Sequence, residues 1–128
     1  MKYCDLHIHS NGSDGSWTPE EIIKEAKRLS LTVALTDHNT VIKLPEFFAE
    51  AERQGVNAVG GIEITTEYEE YEFHLLGLFI EPKHYDFIER LMKEYHVLKE
   101  ISNMEMDERL NDAGYVIDYK NVKKRQPN

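Results

Sequence analysis

The sequence predicts an α/β fold in which short parallel strands alternate with helices. Apolar runs recur along the first half of the chain and predict strands at Lys2–Ile8, Leu31–Thr36 and Val56–Ile64, the third interrupted by Gly60 and Gly61. Segments with apolar residues at helical spacing separate these runs. The second run is apolar enough to be buried on both faces, as in a parallel sheet covered by helices. This order favours right-handed crossovers between parallel strands.

Local signals mark the ends of the two predicted helices. Thr18 is a suitable N-cap, Pro19 suits the first helical position, and Glu21 can complete a capping box with Thr18. A second helix is predicted to begin near Pro45. It should end at Gly55, because glycine readily adopts the left-handed conformation that follows a helix. Both helices are therefore expected to be short.

The pattern changes after the third strand. An acidic segment, residues 67–72, precedes a fourth apolar run at Phe73–Ile80, which predicts an antiparallel or neighbouring strand after a short turn. Helical spacing begins at Pro82, and a second helix is predicted around Asn103–Ala113. Gly114 should end that helix, before a brief strand or turn at residues 115–119. The sequence thus divides into a strand-rich part, a helical part and a solvated polar tail, at residues 1–81, 82–119 and 120–128.

Composition limits the class of protein. The chain has 128 residues, enough for one domain, and its 24 acidic against 15 basic residues give a net charge of −9. That charge argues against a nucleic acid partner, which requires a basic face. No apolar run approaches the roughly 18–20 residues of a membrane span, and the N-terminus lacks the order of a signal peptide. The single cysteine, Cys4, excludes an intrachain disulfide. We therefore expect a cytoplasmic protein without membrane contact.

Histidines and carboxylates follow the predicted strands. On the first strand Asp5, His7 and His9 alternate and should point to one face, where two imidazoles can share a metal ion. His38 follows the second strand, where open α/β folds place ligand-binding groups. Glu63 lies inside an apolar strand, and a carboxylate there is costly unless it is paired or metal-bound. These positions predict a metal site at the carboxyl ends of the strands.

Each of these motifs also has a purely structural explanation. Asp14 lies in a turn-like segment, and His74, among apolar residues, is compatible with a satisfied core histidine. The combination is more specific, because barrel enzymes build their sites where successive strands end. Imidazole with carboxylate suits zinc, manganese or iron better than magnesium alone or calcium. His84 and His96 lie in helix-like sequence and are expected to face solvent.

Taken together, the motifs resemble those of the PHP (polymerase and histidinol phosphatase) family. The matching segments are Asp5–Ser10 with Ser13–Gly15, Thr36–His38, Gly61–Ile64 and Phe73–Gly77. Their order and spacing match over about the first 80 residues. Residues 82–119 resemble the helical insertion of the family's small phosphoesterases. The resemblance implies a partial, distorted TIM-like (β/α) barrel with a helical segment after the fourth strand.

The resemblance further implies a cluster of up to three divalent transition metal ions, with zinc, manganese and iron as the candidates. Six side chains would be ligands: His7 and His9 for the first ion, Glu63 for the first and second, His74 for the second, and Asp14 and His38 for the third. Asp5 would orient an imidazole. The implied activity is hydrolysis of a phosphate ester on a small molecule by hydroxide bound to metal. Glu63, Asp14 and His38 are the implied catalytic residues.

One difference from the family limits this interpretation. The family carries a later histidine and a closing Asp-x-His motif, and nothing after His74 resembles either. An eight-stranded barrel also takes about 250 residues. We therefore expect the N-terminal part of a phosphoesterase, and the sequence leaves open whether it is a truncated product or a chain that a partner or a second copy in a homo-oligomer completes.

Three other functions remain open. The chain can be a metal-binding or interaction module without catalysis, because its metal site is incomplete. A polymerase-associated domain is disfavoured by the net charge of −9 and by the absence of a further domain. A metal-dependent amidohydrolase also uses His-x-His on its first strand, but Asp14, His38 and Glu63 fit it less well. A nucleotide, a sugar phosphate and histidinol phosphate all remain open as substrates.

Overall fold

A computed structural model describes residues 3–125 of the chain. The elements in chain order are β1 (Tyr3–Ile8), α1 (Pro19–Leu29), β2 (Leu31–Leu35), α2 (Leu44–Gln54), β3 (Ala58–Tyr68), β4 (Tyr71–Leu78), a short 3-10 helix (Pro82–His84), α3 (Tyr85–Asp112) and α4 (Tyr119–Arg125). The chain divides into two compact units, one ending at Glu89 and the other beginning at Arg90. Within residues 3–125, the first unit contains every strand and all six candidate ligands.

The strands form one sheet in the order β1-β2-β3-β4. β1, β2 and the start of β3 are parallel, with Tyr3 opposite Leu31 and Val33 opposite Ala58. β4 runs antiparallel to β3, and Glu63 lies opposite Leu76. The sheet is a curled half-barrel within a mixed α/β fold, which confirms the predicted fold class.

The local helix signals act as predicted. At the start of α1, Thr18 accepts a hydrogen bond from the Glu21 backbone, and the Glu21 carboxylate accepts one from the Thr18 backbone. α2 begins at Leu44, one residue before Pro45, and Gly55 follows it with a φ of 70°. These caps satisfy backbone groups that would otherwise lack partners at the helix ends.

The core of the first unit lies between the two short helices and the sheet. α1 packs on α2 and β2, and α2 packs on β3. Burial of a large apolar side chain contributes about 1.5–3 kcal/mol. The buried apolar side chains are Ile22, Ile23, Ala26, Val33, Ala34, Leu35, Val41, Leu44, Phe47, Ala51 and Ile62. This packing holds β2 and β3, and β1 is held by its pairing with β2.

β3 is longer than predicted and passes through its glycines without a break. Its first residues pair with β2, and its remainder pairs with β4, so the strand changes partners at Gly61. A Cβ atom at Gly61 would lie 2.7 Å from the carbonyl oxygen of Gly77 and 2.7 Å from the side chain of Thr36. Glycine therefore permits close backbone approach here instead of interrupting the strand.

The prediction of two helices after Pro82 was wrong, because α3 is one helix of 28 residues. Residues 99–103 contain no glycine or proline, so nothing there stops a helix. Ser102 and Asn103 are residue types favoured at N-caps, but Asn103 instead donates to the Tyr119 hydroxyl at 3.2 Å. Gly114, with a φ of 91°, lies just beyond the end of α3 as predicted.

Part of the predicted polar tail is helical, because α4 occupies Tyr119–Arg125, and its residues 120–124 are exposed. Within the second unit, the Tyr119 hydroxyl donates to Glu100 at 2.8 Å, and Lys123 pairs with Glu100 at 2.8 Å. These contacts hold α4 on α3. Residues 126–128 of the predicted tail lie outside the described residues. Between residues 3 and 125, no helix has both the length and the apolar character needed to cross a membrane.

Candidate metal centre

The candidate centre forms where the chain leaves β1 and β2 and where β3 passes beside them. The segment after β2 continues the parallel pairing, because His38 forms an isolated bridge with Glu63. The Glu63 backbone N–H donates to the Asp37 carbonyl at 3.1 Å, and the Asn39 N–H donates to the Glu63 carbonyl at 2.9 Å. Backbone pairing therefore places the second motif directly beside the buried glutamate.

The Glu63 carboxylate is the centre of the site. This residue is only 6% exposed, and four imidazoles contact its two oxygens. Oε2 lies 2.7 Å from Nε2 of His7, 3.0 Å from Nε2 of His9 and 3.6 Å from Nε2 of His38. Oε1 lies 3.1 Å from Nδ1 of His74. His74 reaches it diagonally across the β3–β4 pair, because Glu63 and His74 lie on the same face of the sheet.

Asp14 approaches the same histidines from the solvent side. Its side chain is 61% exposed, and its two oxygens lie 3.5 Å from Nδ1 of His9 and 3.7 Å from Nε2 of His38. The rings of His9 and His38 stack with centroids 4.4 Å apart. Asp14 and Glu63 thus bracket this imidazole pair with one exposed and one buried carboxylate.

Two opposing effects determine the pKa of the Glu63 carboxyl group. Burial by itself raises the pKa of this carboxyl group. The hydrogen bond from His7 and the nearby charges of His38, His7 and His9 lower the pKa by more, so the net shift is downward. The imidazoles therefore stabilise the ionised carboxylate, which is the form that binds a metal ion.

Among residues 3–125, three overlapping groups of side chains could hold a metal ion, because the ligand atoms within each group lie within 4.8 Å of one another. They are His7 with His9 and Glu63, His9 with Asp14 and His38, and His38 with Glu63 and His74. The buried Nδ1 of His9 has no hydrogen-bond partner in the described part of the chain, as expected of a nitrogen reserved for a metal ion. The residues therefore fit a divalent metal cluster with imidazole and carboxylate ligands.

All six ligands predicted from the sequence converge in this site, and their individual roles remain predictions. Asp5 differs from its expectation, because its carboxylate accepts from the backbone N–H of His7 at 3.3 Å and, among the described contacts, from no imidazole. His84 and His96 are exposed, as predicted, and neither belongs to a ligand group within residues 3–125.

Asp37 is a residue of the site whose role the sequence did not reveal. It is 2% exposed, and its carboxylate accepts from the Ser10 backbone at 2.6 Å, the Ser10 hydroxyl at 2.6 Å and the Ser13 hydroxyl at 2.8 Å. The Ser10 hydroxyl in turn accepts from the Gly12 backbone at 3.0 Å. Asp37 therefore fixes the loop that carries Asp14. A signal for this role was present in the sequence, because Asp37 is a carboxylate that directly follows the buried second strand.

Gly15 closes the same loop by close backbone contact. Its N–H donates to the Ser10 carbonyl at 3.0 Å. A Cβ atom at this position would lie 2.2 Å from the carbonyl oxygen of His9, which no side chain can accommodate without a shift of the backbone. The turn-like segment read in the sequence therefore holds Asp14 next to the end of β1.

The fold and the site together define an α/β protein that gathers imidazoles and carboxylates at the carboxyl ends of parallel strands, in the manner of a metal centre. The sequence model described as PHP domain matches residues 5–123. The chain belongs to the PHP domain family, which confirms the resemblance seen in its motifs.

Curated relatives share the region that carries the ligands. The 5′-3′ exoribonuclease Rnm of Salmonella typhimurium is 40% identical over 83 residues, covering 62% of this chain and 28% of the relative. The 3′,5′-nucleoside bisphosphate phosphatase of Chromobacterium violaceum is 40% identical over 83 residues, covering 64% of this chain and 29% of the relative. The chain therefore spans about a third of the length of such relatives.

Solved structures share the fold. A Bifidobacterium adolescentis protein described as a metal-dependent phosphoesterase superposes with a TM-score of 0.82 at 28% identity, covering 98% of this chain and 43% of that one. An amidohydrolase from Chromobacterium violaceum, with bound sulfate and no metal, superposes with a TM-score of 0.78 at 31% identity. The match covers 89% of this chain and 40% of that one. In both cases the matched part is less than half of the neighbour.

Proposed function

We propose that this chain provides the metal-binding part of a phosphoesterase that hydrolyses a phosphate ester on a small molecule. The observation that carries the proposal is the buried Glu63 carboxylate in contact with four imidazoles. The names of relatives support the reaction class, because they include a nucleoside bisphosphate phosphatase and a phosphoribosyl 1,2-cyclic phosphate 1,2-diphosphodiesterase. A nucleotide or sugar phosphate is the substrate class that these two names favour, whereas the exoribonuclease names among the relatives favour an RNA chain.

The ligand set is proposed to hold up to three divalent ions of zinc, manganese or iron. Bound ions would supply Lewis acidity that activates water and neutralises phosphate charge. Glu63 is positioned to serve two of the ligand groups, one with His7 and His9 and one with His38 and His74. Its burial keeps it dry and strengthens its attraction for a cation.

Asp14 and His38 complete the proposed catalytic set with Glu63. Asp14 is the most exposed of the six proposed ligands, so it lies on the side from which a substrate can approach. The His38 ring stacks on His9 and contacts both carboxylates, which limits its rotation. These residues would therefore orient the ions relative to an incoming phosphate and need little rearrangement to do so.

The first test is the number of ions per chain, measured by elemental mass spectrometry on protein purified without chelator. We expect Glu63→Gln to lower the metal content sharply, because this residue belongs to two ligand groups. Glu70→Gln, an exposed carboxylate in the β3–β4 turn, is the matched control and should retain the parental content. Equal metal content in Glu63→Gln and the parent would overturn the assignment.

The second test is catalysis, measured as phosphate release from a nucleoside 3′,5′-bisphosphate in the presence of Mn²⁺ or Zn²⁺. We expect release that depends on metal and is lost in Glu63→Gln but not in Glu70→Gln. Size-exclusion chromatography would show whether activity accompanies a homo-oligomer or requires a partner chain that completes the barrel. Metal binding without release under any of these conditions would favour the alternative, a non-catalytic metal-binding module.

A further inference from the structure

A carboxylate outside the ligand set holds the loop that follows β2. Glu89, near the start of α3, accepts two hydrogen bonds at its Oε1 atom, from the Thr40 hydroxyl at 2.9 Å and from the Val41 backbone N–H at 2.6 Å. Thr40 is 7% exposed and Val41 is 2% exposed, so both donors are shielded from water. Glu89 belongs to the same compact unit as this loop.

The same loop is fixed on its other side by β3. Asn39 has a φ of 53°, in the left-handed region that asparagine adopts more readily than most residues. Its side-chain amide donates to the Thr65 hydroxyl at 3.0 Å and accepts from the Thr65 backbone at 2.9 Å. His38 immediately precedes this residue. The orientation of its ring therefore depends on a short segment anchored at Thr65 and at Glu89.

Loss of the Glu89 carboxylate would leave two buried donors without an acceptor. Such donors are costly unless the segment moves to reach water. The Thr40 hydroxyl also accepts from the Ile42 backbone at 3.2 Å, so its displacement would spread along the loop. Movement of this segment would shift His38, two residues before Thr40.

We infer that Glu89 is a positioning residue for His38. The inference rests on the proposed metal centre and extends it to a residue that the sequence placed in the helical part, residues 82–119. His38 belongs to two of the three ligand groups, and His7 belongs only to the remaining one. A defect transmitted through Glu89 should therefore weaken the ions held by His38 and spare the ion held by His7.

The test is a zinc titration of histidine-labelled protein followed by nuclear magnetic resonance. Loss of a group that hydrogen-bonds a metal-binding imidazole typically costs about 10- to 100-fold in metal affinity, and Glu89 acts less directly, through the loop. We expect the His38 ring resonances of Glu89→Ala to require up to about 10-fold more Zn²⁺ than in the parent, while His7 responds at the parental concentration. Glu89→Gln retains an acceptor oxygen, so the zinc concentration it requires should lie between those of the parent and Glu89→Ala. Glu94→Ala, on the exposed surface of the same helix, is the control and should match the parent.

The outcomes separate the inference from the metal proposal. A parent that shows no zinc response at any histidine would contradict the metal centre, whereas a parental His38 response in Glu89→Ala would overturn the positioning role. An equal loss at His7 and His38 would also overturn it, because the effect would then be general. Without zinc, Glu89→Ala must still change the His38 ring resonances and accelerate exchange of the Val41 amide. If Glu89→Ala does not fold, Glu89→Gln decides by the same measurements.

Discussion

The two regions that supply the metal ligands are built in opposite ways. In the parallel region, Tyr3–Gln54, the last three residues of β2 are buried and α1 packs on β2 and on α2, while β1 is mostly exposed. In the hairpin, Gly61–Leu78, six consecutive residues of β4 are exposed. Phe47 in the first region has no exposed surface, whereas Phe73 in the second is 48% exposed. One site is therefore assembled from a packed region and from a strand with little burial of its own.

This difference separates ligands that are held by packing from ligands that are held mainly by backbone pairing. His9 and Asp14 lie beside a loop anchored on the buried Asp37. His74 is held by strand pairing, by its contact with Glu63 and by a contact of 3.3 Å with the exposed Glu72. The parallel region should therefore keep its geometry without metal more firmly than the hairpin does.

The largest expected effect comes from deleting a phenylalanine in each region. Phe47→Ala should lower the free energy of unfolding by about 3–5 kcal/mol, because it leaves a cavity in a packed core. Phe73→Ala should lower it by less than about 1 kcal/mol, because much of this ring is already in water. Urea denaturation of the metal-free protein measures both. Similar losses in the two variants would contradict the contrast between the regions.

The next effect concerns the polar network of the parallel region. Asp37→Ala should lower the free energy of unfolding by about 3 kcal/mol, because the buried donors of Ser10 and Ser13 would lose a charged acceptor. Asp14→Ala is the control, since its side chain is mostly exposed, and should cost less than about 0.5 kcal/mol in metal-free protein. Urea denaturation again gives both values. A tolerated Asp37→Ala would show that packing alone fixes the loop.

Features that depend on short-range signals and on strand alternation could be predicted from the sequence. The ends of α1 and α2 follow from Thr18, Pro19 and Gly55, whose signals act within one helical turn. The convergence of His38 with Glu63 follows from the rule that parallel strands end at one edge of a sheet. Local chemistry and strand alternation therefore predict His7, His9, His38 and Glu63 as candidate ligands, whereas Asp14 and His74 entered the ligand set through the resemblance to the PHP family.

Features that depend on distant contacts were not predictable in this way. Asp37 meets Ser10 across 27 residues of chain, and Glu89 meets Val41 across 48, so no local pattern marks either pair. The change of partner at Gly61 depends on the close approach of Gly77. Within α3, the Asn103 side chain donates to Tyr119, 16 residues away, so its cap-like residue type does not mark the start of a helix.

A smaller effect is expected when one imidazole is removed from each region. His9 belongs to two ligand groups and His74 belongs to one. His9→Ala should therefore lower the number of zinc ions per chain more than His74→Ala does, and neither should unfold the protein. Elemental mass spectrometry after dialysis measures the ions, and His96→Ala serves as an exposed control outside the ligand groups. A greater loss in His74→Ala would place the main ion in the hairpin.

The smallest effect is expected at the start of α1, where the capping box makes stability depend on pH. Hydrogen bonds from the Thr18 backbone and hydroxyl lower the pKa of Glu21. Because this pKa is lower in the folded state, Glu21 contributes stability above its unfolded pKa and loses that contribution as the pH falls through the folded value. Metal-free parent and Glu21→Gln should thus differ in free energy of unfolding at pH 7 and converge in acid. Glu70→Gln, an exposed change in the hairpin turn, is the control and should match the parent in free energy of unfolding at pH 7. A difference between Glu21→Gln and the parent that persists in acid would refute the capping contribution.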